Sequence, residues 1–385
     1  MARGIDRRNF LRLGATAVGA SVLGGLPPGA AAAGRSTSGK PRIPGSRLSA
    51  TGVRRSLAYL GVYRPLRTPG CSEPESLESR IGRNFAINHH FRSPPETEWA
   101  PLRDRMLADK RAGRIPMLSY AAGKTAGYPD DEVGQRQAAL ARLVEIAHGE
   151  RDAYLDGQAA ALAALGTPVF LRFTWEFDIR YFGATAAEVH RAAWRHTWSR
   201  FQHAGATNVA FVWCPTWLAY QDGTADRFYP GNSYVDWIAA DGYARSPDFR
   251  PFATMFTAAN VFALNHDKPF MVAETGVQRL STQASVTSGS TRQSSWLDAI
   301  GDLLDDGRFA NMKALVYFHT DGDNEPQPNC WRVTVPTPGP AVESFTRLAW
   351  QPRLKAVAAA APAATAVPPA GSAPITTGVR GRLAW

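Results

Sequence analysis

Two glutamates, Glu176 and Glu274, each close a strand-like apolar run, PVFLRFTWEF for the first and KPFMVAETG for the second. Paired carboxyl groups are what breaking a glycosidic bond requires. One protonates the departing oxygen, and the other attacks the anomeric carbon or activates water from the opposite side of the sugar. Arg172, Thr174 and Glu176 share parity, so a regular strand would send all three to one face, into the mouth of the fold. An inward Arg needs a carboxylate partner. Glu274 fits, and the cation would hold it ionised, as suits a nucleophile. Glu176, flanked by Trp175 and Phe177, would then stay protonated and donate a proton. Tyr243, which ends the adjacent run IAADGY, would reach Glu274 with its hydroxyl and orient it. Asp241 has the parity of Tyr243 and is the rival nucleophile, ranked lower because Asp-Gly so often shapes a turn.

Carboxylates this far apart in sequence meet only where a fold gathers strand ends. Eight candidate strands run over 57–63, 84–91, 115–121, 169–176, 209–215, 235–243, 270–276 and 314–319. Helical patterns at 101–112, 132–165, 186–203 and 294–304 separate several of them, and Thr185 with Glu188 has the spacing of a capping box. Eight alternating units imply an α/β fold, a (β/α)8 TIM barrel, with its site where the strands end.

Aromatic side chains crowd those same ends: Tyr63, Tyr120, Trp175, Tyr181, Trp213, Trp217, Phe318 and Trp331. Their faces would stack on the C–H faces of sugars, although core packing explains any single one equally well and about half should be structural. Trp194, Trp198 and Phe201, at helical spacing, belong to the core. His89 and His90 end the second strand. Consecutive strand residues face opposite ways, so the two cannot easily share an ion, and no HExxH spacing occurs. His90 or His319 remains a hydrogen-bond partner for sugar. No metal or cofactor is expected, and phosphate loops and a GxSxG elbow are absent.

The N-terminus reads as an export signal. Arg7-Arg8 followed by Phe10-Leu11, an apolar stretch to Leu26 and small residues at Ala30 to Ala33 resemble a twin-arginine signal, implying secretion of a folded extracellular protein. The expected layout is signal at 1–33, flexible linker at 34–48, barrel at 49–352 and an Ala/Pro-rich tail at 353–385. The formal charge is +10. Removing the signal's four Arg and one Asp would lower it to about +7, spread without basic blocks, which speaks against nucleic acid as a partner. No later run could span a bilayer and no Cys is placed for a lipid, so a soluble, unanchored monomer acting on a polysaccharide or oligosaccharide is expected. Cys71 follows the first strand and Cys330 the last; these strands are neighbours in a closed barrel, so a disulfide between the two is expected, with Cys214 simply buried.

The stretches LRFTWEFDIRYFG, GATNVAFVWCPTW, YPGNSYVDWIAADGY and KPFMVAETG resemble the clan A retaining glycoside hydrolases, family 26, known for β-mannanases, from about Leu57 to Trp350. The resemblance implies Glu176 as acid/base, Glu274 as nucleophile, Tyr243 as the group orienting it and Trp213 in the sugar site. The family usually has His before the acid/base and Asn two residues after it. Trp175 and Asp178 stand there here, at positions that commonly help hold sugar. β-Mannan is the first expectation for the backbone, with β-glucan or xylan next, cleaved by an endo-acting enzyme with retention and carboxyls about 5 to 5.5 Å apart. A glycan-binding barrel without activity and a transglycosylase acting on exopolysaccharide are the alternatives.

Overall fold

The apolar, β-branched runs become parallel strands, and the amphipathic segments between them become helices that cover the outside. The computed structural model describes residues 57–63, 74–92, 99–121, 132–181, 185–279, 286–320, 331–334 and 339–355, all within the unit Lys40–Trp385. The strands are β1 (Ala58–Tyr63), β2 (Ile87–Arg92), β3 (Ile115–Tyr120), β4 (Val169–Phe173), β5 (Val209–Trp213), β6 (Trp237–Ala244), β7 (Phe270–Val277), β8 (Met312–Phe318) and β9 (Leu354–Lys355). β1 to β8 pair in sequence order, all parallel, and β1 pairs with both β8 and β2, which closes an eight-stranded barrel. β9 adds a short parallel pairing to the start of β1. The fold therefore runs through Lys355, past the boundary expected at 352.

Two side-chain layers follow from strand alternation. Phe170, Val212, Trp237, Ala239, Met271, Ala273, Ala314 and Val316 form one cluster, the filling of the barrel. Their neighbours Leu171, Phe173, Phe211, Ile238, Val272 and Leu315 join the larger cluster with the helices. Burial of apolar surface stabilises a fold by about 25 cal/mol per Å² removed from water, and the second layer has many more fully buried residues than the first.

Two local expectations are corrected, and one strand holds where a turn would have broken it. The pattern over 132–165 is two helices, Glu132–Ala147 and Asp152–Ala163, because Gly149 takes φ +83° between them, where a side chain would be strained. The helix Ala186–His203 starts where the capping box placed it, yet Thr185 has helical backbone and makes no side-chain capping hydrogen bond. Asp241-Gly242, whose turn tendency ranked Asp241 below Glu274, continues β6 as the strand expected over 235–243 requires. A Cβ on Gly242 would lie 2.8 Å from Trp217 and 3.0 Å from Phe256, so glycine there permits close packing of the outer layer. Among the described residues no helix is long and apolar enough to cross a membrane. Cys71 and Cys330 lie outside the described residues.

Candidate active site

Arg172 is the centre of the site. It points inward from β4 with no exposed surface, and its two terminal nitrogens serve two carboxylates. Nη1 donates to Glu274 Oε1 at 2.7 Å, and Nη2 is paired with Asp241 of β6. Burial opposes the Arg172 charge, but Asp241, then Cys214 and Glu274, more than restore it and hold the guanidinium above its ordinary value. Tyr243 donates its hydroxyl to the other Glu274 oxygen, Oε2, at 2.6 Å. Both Glu274 oxygens are thereby fixed.

Burial pushes the Glu274 carboxyl above its ordinary 4.5, with Glu176 adding to the rise, while Arg172 and the Tyr243 hydrogen bond pull it back. The cation therefore only partly offsets desolvation, and the expectation of a simply ionised Glu274 is corrected in that sense. Asp241, 1% exposed, is likewise raised by burial; its Oδ1 accepts from the Cys214 thiol at 3.2 Å. Enclosed in this way, Asp241 holds Arg172 and is not presented to a substrate as Glu274 is. Burial also pushes the Tyr243 hydroxyl well up, with Glu274 the next cause, so it stays a neutral donor at any working pH.

Neither glutamate reaches the mouth by simple alternation. On β7, Ala273 faces inward, and the next residue of a regular strand would face out. The pairing with β6 slips between Ala240↔Val272 and Asp241↔Glu274, a bulge that turns Glu274 inward as well. β4 ends at Phe173, after which Thr174 and Glu176 adopt left-handed backbone, φ 48° and 52°. Such residues cost on the order of 1 to 3 kcal/mol each and persist only when surroundings impose them. Here the Thr174 amide donates to Tyr120 O and the Glu176 amide to Cys214 O, both at 2.8 Å.

Thr174 consequently departs from the shared parity. Its Oγ1 lies 3.1 Å from Nε2 of His190, a wholly buried residue of the helix Ala186–His203 that burial pushes down to about 3 and keeps neutral. Trp175 turns inward instead, against Phe91 at 5.3 Å. Glu176 stands at the start of the short helix Phe177–Arg180, and Arg180 Nη2 donates to its Oε2 at 3.2 Å.

Of the other expected sugar contacts, Phe318 and Trp331 belong to this mouth. Phe318 stacks on Tyr63 at 4.3 Å and meets Tyr243 edge-on, and Trp331 packs on Tyr243 at 4.7 Å. Four residues are placed elsewhere. Trp213 has no exposed surface and packs among Phe177, Tyr220, Tyr229 and Phe262 in the helical layer, because on β5 Val212 and Cys214 face inward and Trp213 between them cannot. Tyr181 is buried beside His190 in the same layer. Trp217 lies on the outer side of β6 against Gly242. His90 also faces outward, with Nε2 2.7 Å from Asp109 Oδ2.

The inward histidine is His89, whose Nε2 is 2.7 Å from Ser119 Oγ and 3.3 Å from Arg172 Nη1. Burial, then the Arg172 cation, push it well down, so it stays neutral. Sequence reasoning weighed it only as a metal ligand, although the alternation noted for His89 and His90 carried the signal. Asp178 is turned to the loop after β5. Its Oδ1 accepts from the Thr216 amide at 2.8 Å and Oδ2 from the Thr216 hydroxyl at 2.5 Å, tying the two loops together, and burial raises it to about 6. His319, the residue after β8, is fully buried, and its Nδ1 accepts from the Val333 amide at 3.4 Å.

Residues 142–319 match the sequence model of the family described as glycosyl hydrolase family 26. The chain is similar to a β-1,3-xylanase of a Vibrio species, 25% identical over 60% of this chain and 50% of that protein, and to endoglucanase H of Acetivibrio thermocellus, 25% identical over 54% and 23%. It thus spans about half the length, or less, of the curated relatives it matches. Among solved structures it is similar to a β-mannanase of Bacteroides ovatus, with TM-score 0.57 at 16% identity over 79% of this chain and 92% of that one. It is also similar to an endo-β-1,4-mannanase of Cellulomonas fimi, with TM-score 0.56 at 19% identity over 80% and 76%; at these identities the likeness is one of fold. Residues 142–319, from within the helix Glu132–Ala147 to the end of β8, thus resemble glycosyl hydrolase family 26 in sequence, and the likeness in fold extends across the barrel.

Proposed function

We propose that the chain is an exported hydrolase that cleaves β-glycosidic bonds within a polysaccharide by double displacement with retention. The observation that carries this reading is the double hold on Glu274, by Arg172 at 2.7 Å and Tyr243 at 2.6 Å, which aims one carboxylate while Glu176 stands at the end of a different strand within electrostatic reach of it. Glu274 attacks the anomeric carbon as Glu176 gives its proton to the departing oxygen. That proton leaves with the released sugar. Glu176, now a carboxylate, takes a proton from water, whose oxygen attacks the glycosyl-enzyme and frees Glu274. Arg172 and Tyr243 favour the ionised Glu274 that begins and ends the cycle, and Asp241 keeps Arg172 in place.

The relatives in sequence are, by their names, a β-1,3-xylanase and an endoglucanase, whereas the mannanase likeness supports only the fold. β-1,3-Xylan therefore moves ahead of β-mannan, with β-glucan between them. Export by the twin-arginine route belongs to the same proposal, supported by Arg7-Arg8, Phe10-Leu11 and the apolar stretch after them. The test is release of reducing ends from β-1,3-xylan, mixed-linkage β-glucan, cellulose and β-mannan by the parent chain and by Glu274→Ala. Release by the parent alone, with the β-anomer appearing first in the NMR spectrum, is expected; an α-anomer first would replace double displacement by inversion.

A further inference from the structure

Thr174 is a β-branched residue buried at φ 48°, two positions before Glu176 at φ 52°. A positive φ is an outlier for such a side chain and survives only where the surroundings impose it, which happens most at functional sites. The bond from the Thr174 amide to Tyr120 O only extends the ladder between β3 and β4 by one step, and a regular strand would make it too. The side chain carries the other fastening. Thr174 Oγ1 is 3.1 Å from Nε2 of His190, which reaches it from the helix Ala186–His203.

By strand parity Thr174 would face the barrel with Arg172. The bond to His190 holds it on the helix side instead, and the turn this requires sets Glu176 at the start of the helix Phe177–Arg180. The same imidazole packs on the ring of Phe177, 4.2 Å between centroids, and Phe177 directly follows Glu176. His190 therefore grips the chain on both flanks of Glu176. Thr174, Phe177 and His190 are all buried, and Phe228 packs on both rings, at 5.2 and 5.7 Å. A hydrogen bond enclosed in this way is costly to leave unmade, so it can hold a backbone that is otherwise disfavoured.

We propose that His190 is a positioning residue for proton donation: through Thr174 and Phe177 it fixes the turn that carries Glu176, so its loss slows the step that needs Glu176 as an acid and spares attack by Glu274. This rests on the reading of Glu176 as acid/base and Glu274 as nucleophile.

Leaving groups separate the two carboxylates. When Glu274 attacks a phenyl β-glycoside, the bond to the phenolic oxygen breaks and that oxygen takes the proton of Glu176, whereas dinitrophenolate is stable enough to depart without one. Phenyl and dinitrophenyl β-glycosides of xylobiose, cellobiose and mannobiose are compared by kcat/KM, per folded molecule, for the parent, Glu176→Ala, Thr174→Val, His190→Phe and His190→Gln. His190→Phe keeps a ring among Phe177, Trp194 and Phe228 and removes the hydrogen bond; His190→Gln returns a polar group to Thr174.

On the phenyl glycosides, Glu176→Ala should lose about a hundredfold or more, and Thr174→Val and His190→Phe about tenfold each. Thr174→Val and His190→Phe together should lose no more than either alone, because both remove one bond, and His190→Gln should recover most of the loss. On the dinitrophenyl glycosides every variant should stay within about threefold of the parent, since that departure needs no acid. Equal losses on the two leaving groups, which general damage to the barrel would give, or a phenyl rate unchanged in Thr174→Val, overturns the proposal. Should His190→Phe not fold, Thr174→Val carries the same comparison. A parent that cleaves none of the glycosides defeats the hydrolase reading itself, a failure told from the other by the parent's own rate.

Discussion

β4 and β5 are neighbours in the barrel, yet their ends are built on opposite plans. β5 runs regularly through Trp213, so alternation alone decides that Cys214 faces the barrel and Trp213 the helices. β4 breaks off at Phe173, and two left-handed residues, Thr174 and Glu176, rearrange the chain beyond it. Trp175 thereby turns into the mouth and Glu176 stands beside it. The bulge on β7 does the same for Glu274. Regular strand builds the packed layers of this protein, and departures from regularity place its carboxylates.

The contrast predicts that the carboxylates on the irregular ends govern chemistry and the apolar side chains on regular strands govern stability. Glu274→Ala tests the first half most strongly. Activity should fall by roughly a thousandfold or more, with the thermal melting curve of the variant still that of a folded chain. Trp213→Ala tests the second half. Removing a fully buried indole from the helical layer should cost about 3 to 5 kcal/mol in denaturant titrations, while kcat per folded molecule changes by less than about threefold. A large kcat defect in Trp213→Ala at unchanged stability would return this residue to the sugar site.

Tyr243→Phe removes one of the two hydrogen bonds on Glu274 without disturbing the packing of its ring. Because that bond favours the ionised carboxylate, kcat/KM should drop about ten- to a hundredfold, and the acidic limb of its pH profile should move to higher pH. In the parent, the limb should already lie above 4.5, since burial raises Glu274 from that value. A limb below 4.5, or one that Tyr243→Phe leaves in place, would disconnect Tyr243 from the ionisation of Glu274.

The smallest expected effects are two opposed contributions to stability around β4. Asp178 is raised from 3.8 to about 6, so between those values the folded chain holds a proton that the unfolded chain has lost. Its contribution is fully present below 3.8 and disappears as pH rises through about 6. His190 is lowered from 6.5 to about 3. There the unfolded chain holds the extra proton, and stability is present above 6.5 and lost as pH falls through about 3. Measured between pH 4 and 6, the stability of Asp178→Asn relative to the parent should improve with rising pH and that of His190→Gln should worsen. The same slope for both would contradict the burial that sets the two residues apart.

Much of this was legible in the sequence where the chain is regular. Eight apolar runs with helical segments between them were enough for a closed parallel barrel, and the strand bounds shifted by only a few residues. What alternation could carry, it carried: Arg172 faces inward and meets Glu274. It failed one step past the strand, at Thr174, because left-handed backbone in a β-branched residue leaves no mark on the pattern of side chains. It was also applied unevenly. The rule that separated His89 from His90 did not say which of them faces the barrel, and Trp213 was placed by its type and by the family resemblance, without the parity that its neighbour Cys214 would have supplied. Asp241 was ranked below Glu274 because Asp-Gly so often shapes a turn, whereas here the glycine makes room for Trp217 and Phe256.

The assignment of two roles to two glutamates is tested most directly by chemical rescue. Glu176→Ala and Glu274→Ala are each incubated with azide and dinitrophenyl β-glycosides of xylobiose, cellobiose and mannobiose, and the glycosyl azide formed is identified by NMR. If Glu274 is the nucleophile and Glu176 the acid/base, azide restores turnover in both: Glu176→Ala yields the β-azide, formed on the glycosyl-enzyme, and Glu274→Ala yields the α-azide, formed by direct displacement. The reverse pairing of anomers would exchange the two roles, and no rescue in either variant, with the parent active on the same glycoside, would remove both glutamates from the chemistry.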